Sequence, residues 1–344
     1  MIKTYSFFES NVNKLNGFVL SFFDRIEKET GDFSESFFEK EFYDNLVCRH
    51  KGILLKAFKE IYKEVKKWKQ PKRSALCKAI RDSNNIEAIC GGTITPFKSK
   101  DIPEEVRDEM VTLFKKLYND VLFGVFFNPH YGDRKAHYHK FRKHKNNEYN
   151  YCPACGIFKM HSSNDDITDQ YDHYLPKDLY PFSSVNFRNL VPICVDCNSI
   201  QVKWHNDILS HTGKVFYPFD VSHRPIEVKV SIKSNAPELE NIDWQIDYSC
   251  QVGKDDELKA WKAIYKIEKR HKTHTQGNVI LWHKRLYDYV ESKSIKAFIP
   301  DIENRKTAYL VSKENDDLIE HKVLEQLINE RKGIAESKAA SRYA

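Results

Sequence analysis

Apolar positions recur with helical spacing through the first third of the chain. Leu54, Leu55, Phe58, Ile61, Tyr62, Val65 and Trp68 share one face, lysines fill the opposite face, and Pro71 supplies a stop. After Pro103 a second stripe, Val106, Met110, Leu113, Phe114, Leu117, Val121 and Leu122, predicts a helix up to about Phe127. Both stripes are expected to be core, and the lysine face to be solvated. Further along the period changes to two. "PIEVKVSIK" (225–233) and "DWQIDYSC" (243–250) alternate apolar and polar residues and predict a small antiparallel sheet. Helical patterns at about 255–272, 277–295 and 315–332 close the chain, and the tail "AESKAASRYA" is expected to be frayed. Between these regions, "ITDQYDHYLP" (167–176) and "NLVPI" (189–193) read as short strands, and a short helix is expected from Cys194. The fold class expected is therefore α+β: mainly helical, with a central ββα unit and a small antiparallel sheet after it. Four regions follow: helical 1–128, a basic segment 129–150, the central unit 151–213, and a hairpin with helices over 214–344.

Composition narrows this little. A chain of 344 residues, 41% hydrophobic and 30% charged, is ample for a buried core and ordinary for a soluble globular protein. The apolar stretch at 17–23 is flanked by charge and too short for a signal or a span. A soluble, cytoplasmic protein without a membrane partner is expected. A net charge of +6 decides nothing by itself, but its clustering matters. "DRKAHYHKFRKHK" (133–145) carries Arg134, Lys135, Lys140, Arg142, Lys143 and Lys145 with no acidic residue after Asp133. It reads either as an exposed basic linker or as an arm that tracks nucleic-acid phosphates.

The eight cysteines change the picture more. Cys152-Pro-Ala-Cys155 and Cys194-Val-Asp-Cys197 are two CxxC pairs with 38 residues between them. Two such turns complete a tetrahedral Zn²⁺ site with about 2.3 Å bonds. A redox pair is the competing reading, but it needs only one CxxC opening a strand–helix unit. Four thiolates leave no open position, so this zinc is structural and clamps the segment between the pairs. Cys48, Cys77, Cys90 and Cys250 occur singly and are expected as buried small hydrophobes.

Inside the clamp the chemistry is of another kind. Asp172 and Asn198 offer hard oxygens suited to Mg²⁺ or Mn²⁺. His173 can take a proton from water near neutral pH. Asn189 is placed to brace the loop, and Lys177 and Lys203 to touch phosphate. A base, a metal and a phosphate holder together make up the parts of phosphodiester hydrolysis. The residues Cys152, Cys155, Asp172-His173, Asn189-Leu190-Val191-Pro192, Cys194, Cys197-Asn198 and Lys203 resemble, in order and spacing, the zinc-clamped form of the HNH (ββα-metal) nucleases. The resemblance spans about 60 of the 344 residues. It implies His173 as general base, Asp172 and Asn198 as ligands of one catalytic Mg²⁺ or Mn²⁺, and Asn189 as a structural residue. The implied activity is endonucleolytic cleavage of nucleic acid, DNA foremost, leaving 5′-phosphate and 3′-hydroxyl ends. "DHYLPK" and "NLVPICVDCN" are also loosely similar to HNH proteins found with ATPases in bacterial anti-phage defence, which implies an ATPase or another defence-system protein as partner. The competing reading is a zinc module that binds nucleic acid or protein without cutting.

Overall fold

The computed structural model describes residues 2–145, 147–223, 226–233 and 241–290, the last eight of these as backbone alone, together with residues 319, 320, 322, 323, 325 and 326. Two compact units are present. One comprises Thr4–Glu148 and His161–Ser222, the other Met1–Lys3, Tyr149–Met160 and His223–Ala344. The expected central region 151–213 is therefore divided, with its first CxxC pair in the second of these units.

In the first unit four helices build the core: α1 (Lys14–Lys28), α2 (Lys56–Val65), α3 (Gln70–Ser83) and α4 (Glu104–Lys116). Helix α1 packs on α3, and α2 on α4. The stripe of α2 lies where its spacing predicts: Phe58, Ile61, Tyr62 and Val65 are buried at i, i+3, i+4 and i+7. Phe58 meets the rings of Phe22, Phe38 and Phe42 at centroid separations of 4.4, 5.2 and 6.0 Å. Each such contact is worth about 0.5–1.5 kcal/mol beyond burial. The lysine face is solvated, and Lys63, Lys66 and Lys67 pair with Glu60, Asp32 and Glu64.

Two helix boundaries differ from expectation. Helix α2 ends at Val65, before Pro71, and Pro71 stands in the first turn of α3, where its missing N–H costs nothing. Helix α4 continues as one wider turn, Leu117–Val121, and stops there, because Leu122 is extended and Phe123 takes a positive φ of 60°. The basic segment is helical as well. Helix α5 (Arg134–Lys143) is capped by Asp133, whose carboxylate accepts from the Ala136 N–H.

The same unit holds a two-stranded antiparallel hairpin. Strand β1 (Gln170–His173) pairs with β2 (Leu190–Ile193), with Asp172 opposite Val191 and His173 opposite Leu190. The expected helix from Cys194 is replaced by successive single turns: Asn198 N–H to the Cys194 carbonyl, Val202 to Ser199, and Lys203 to Cys197. The S–x–x–S turn needs its own backbone path, so no continuous helix runs through it.

The second unit contains the expected antiparallel hairpin, β3 (Glu227–Ile232) with β4 (Trp244–Ser249). Helices α6 (Asp255–Ile264) and α7 (Ile267–Val290) follow. The break falls at Tyr265–Lys266, where Lys266 has φ 50°, rather than at the expected 272–277. Of the pattern at 315–332, the six described residues are helical, and the rest of it, like the tail, lies outside the described residues. No helix among the described residues is long and apolar enough to cross a membrane.

Candidate functional site

Four thiols come together. Cys152, Cys155, Cys194 and Cys197 are buried, and their sulfur atoms all lie within 4.8 Å of one another. A tetrahedron of about 2.3 Å metal–sulfur bonds has edges of roughly 3.8 Å, so the set fits one Zn²⁺. The first knuckle is shaped by its glycine. Gly156 takes φ 75°, a conformation costly to any residue with a Cβ, and donates to the Cys152 carbonyl at 2.7 Å. In the second, the Cys197 N–H donates to Cys194 Sγ at 3.4 Å, a contact that favours the thiolate.

Two residues that sequence reasoning missed grip the first knuckle. Trp261 Nε1 donates to the Ala154 carbonyl at 2.7 Å, and His271 Nε2 donates to the Cys155 carbonyl at 2.8 Å. The Tyr248 hydroxyl engages His271 Nδ1 at 2.8 Å, which fixes the tautomer. These three lie about a hundred residues from the knuckle in sequence, and nothing in their local pattern marks them. Among the single cysteines, Cys77 and Cys90 are buried as expected, but Cys48 and Cys250 are partly exposed. Burial pushes the Cys77 thiol up to about 12.

His173 ends β1 with its side chain half-buried. Its Nε2 lies 2.9 Å from the Ser184 carbonyl, which can only accept, so Nε2 carries the proton and Nδ1 holds the lone pair. The ring meets Tyr118 edge-on at 4.3 Å between centroids. Burial, joined by the charges of Lys177 and Lys203, pushes the imidazole down to about 3, so it is neutral at neutral pH. Lys177 sits across the same tyrosine, its ammonium 4.6 Å from the ring centre and 3.0 Å from Asn119 Oδ1.

Asn189 is fully buried and spends its whole amide on the loop. Its Oδ1 accepts from the Leu175 N–H at 2.7 Å, and its Nδ2 donates to the Leu175 carbonyl at 3.0 Å and to Ser183 Oγ at 3.2 Å. Ser184 Oγ in turn donates to the Phe114 carbonyl at 3.2 Å. The carbonyl that orients His173 is thus held by a helix on one side and an amide on the other.

Each of the two expected metal ligands is engaged by another side chain. Residues at i and i+2 of a strand share a face, so Asp172 lies on the Gln170 side of β1 and His173 on the Tyr171 side. On the first face the Asp172 carboxylate is 3% exposed and both of its oxygens lie 2.8 Å from the Lys203 ammonium, itself fully buried. Lys203 also donates to the His173 carbonyl at 2.8 Å. Burial pushes the Asp172 carboxyl above its ordinary range, and Lys203 pulls it back. Asn198 Nδ2 donates to Gln170 Oε1 at 2.8 Å. A catalytic Mg²⁺ or Mn²⁺ does not fit this arrangement, because the carboxylate it needs already faces a cation. Lys203 is likewise removed from any phosphate.

The basic segment is also corrected in part. Arg134, Lys135, Lys140, Lys143 and Lys145 are exposed, with Lys135 paired to Asp166 at 2.8 Å. Arg142 is 1% exposed and lies near Asp169, whose carboxyl accepts from the Tyr138 hydroxyl; burial pushes that carboxyl above its ordinary range, and the Arg142 charge offsets this only in part. Arg142 therefore belongs to the core of α5 and to no phosphate surface. Compared with models of known protein families, with curated proteins and with solved structures, the chain gives no match.

Proposed function

We propose that the chain is a nuclease of the HNH type that hydrolyses phosphodiester bonds of nucleic acid, DNA foremost, with His173 as the general base. The observation that carries this reading is the tautomer of His173. A backbone carbonyl holds Nε2–H, and the free lone pair on Nδ1 is the atom that can accept a proton from water. Asn189 supports the reading as the residue that fixes the loop behind that carbonyl. Lys177 offers a cation beside the same ring system.

In this reading His173 Nδ1 takes the proton as water attacks phosphorus. The bond to the 3′ oxygen breaks, that oxygen takes up a proton from solvent, and the ends left are a 5′-phosphate and a 3′-hydroxyl. An imidazole held down at about 3 is a weak base. A bound phosphate brings negative charge that raises it toward the working pH. Zinc, held by the four cysteines, supplies rigidity and no chemistry. Exposed lysines and Arg134 on α5 supply sequence-independent attraction to the backbone.

The burial of Asp172 with Lys203 favours a second reading, a zinc-stabilised module that binds without cutting. Incubating purified, zinc-loaded protein with supercoiled plasmid, linear DNA and RNA separates the two. The nuclease reading expects cleavage that is lost in His173→Ala while binding remains. The binding reading expects equal retention and no cleavage by either protein.

A further inference from the structure

We propose that Lys203 is the resident cation of the Asp172 site, standing where a divalent metal would otherwise bind. Lys203 and a divalent ion therefore exclude one another there. This goes beyond the nuclease reading and holds whether or not the chain cuts nucleic acid.

Asp172 is a carboxylate withdrawn from water at the middle of a strand. A charge in that position is tolerated only if paired and hydrogen-bonded. Two kinds of partner can do this: a metal ion, which binds through oxygen, or an ammonium, which donates to it. Here the ammonium has the place. Both carboxylate oxygens are 2.8 Å from Lys203 Nζ, and neither side chain is more than 3% exposed. A third contact, to the His173 carbonyl at 2.8 Å, fixes where the ammonium sits. That geometry is built by the chain. The Lys203 N–H donates to the Cys197 carbonyl at 3.3 Å, so the end of the second knuckle sets the root of the lysine. Two residues back on the same face of β1, Gln170 Oε1 accepts from Asn198 Nδ2 at 2.8 Å. The Gln170 amide oxygen and the Asp172 carboxylate thus lie along one strand face, with an ammonium at the deeper one. A divalent ion arriving there meets a like charge at contact distance, and the pair must open before the ion can bind.

The test uses zinc-loaded protein, so that the cysteines are already satisfied, and Mn²⁺ as the probe, read by the loss of the free-ion electron paramagnetic resonance signal. Four proteins are compared: wild type, Asp172→Asn, Lys203→Met and the double variant. Wild type and Asp172→Asn are expected to bind Mn²⁺ equally weakly. Lys203→Met is expected to gain a site at least tenfold tighter, and the double variant to lose it. Thermal melts give the second readout. Mn²⁺ should raise the midpoint of Lys203→Met and leave wild type unmoved. Asp172-dependent binding or stabilisation in wild type overturns the proposal, because the carboxylate would then accept metal with Lys203 present. So does Lys203→Met that gains no site. Should Lys203→Met fold only in Mn²⁺, the exchange is supported; should it stay unfolded in Mn²⁺ while the double variant folds, the exchange is overturned. None of these outcomes depends on cleavage, so failure here and failure of the nuclease reading are distinguishable.

Discussion

Asn189 makes hydrogen bonds from both ends of its amide in a site closed to water. Asn189→Ala leaves the Leu175 N–H unsatisfied, at a cost of about 1–3 kcal/mol. Its melting midpoint should fall by several degrees, and a midpoint equal to wild type would remove the bracing role. Two buried imidazoles give stability a pH dependence. His173 is held down to about 3 and His137 to about 4, against 6.5 when the chain is unfolded. Between those values the unfolded chain binds more protons than the folded one, so stability rises with pH through the window and falls as acid is added. Melting midpoints measured from pH 7 to pH 4 should drop, and His137→Gln should flatten part of the slope. Midpoints constant over that range would contradict the buried, neutral state of both rings.

At the scale of elements, the knuckles and helix α5 make separable claims. Metal binding and folding are coupled in thiolate sites, so Cys194→Ser should lose zinc and loosen β1–β2. Trp261→Phe and His271→Gln, which keep the sulfurs but release the knuckle's carbonyls, should weaken zinc retention about 10–100-fold, the usual effect of removing outer contacts. A chelator competition in which all the proteins release zinc alike would refute that. Reversing Lys140 and Lys143 to Glu should weaken nucleic-acid binding and flatten its salt dependence. Arg142→Glu should instead unfold α5, since its side chain is buried near Asp169. Much of this was legible in sequence. Period gave α2, α4 and the β3–β4 pairing, because burial on one face writes itself into spacing. The CxxC pairs announced the sulfur cluster because a short turn fixes two thiols locally. The fate of Arg142 and Lys203 was not legible. Both look like surface cations in sequence, and only the packing of distant acids, Asp169 and Asp172, draws them inside. The turns after Cys194 were missed because a thiol turn and a first helical turn share the same residues.

For the whole molecule, the described residues form two compact units, and His173, the Ser184 carbonyl that orients it and the Asn189 amide all lie in the larger one. Removing zinc should therefore affect the chemistry only through fold, and activity lost on chelation should return when zinc alone is restored. The central claim is that His173 is a general base for phosphodiester hydrolysis. The most direct measurement is the rate of plasmid nicking by zinc-loaded wild type beside His173→Ala, at saturating protein, with zinc content and melting midpoint recorded for both. General-base assistance is worth about 10²–10⁴-fold. Wild type should nick, leaving 3′-hydroxyl ends, and His173→Ala should keep its zinc and its fold while cutting at least about a hundredfold more slowly. Nicking by His173→Ala at the wild-type rate, or a wild type that binds plasmid and never cuts it, would rule out His173 as the general base.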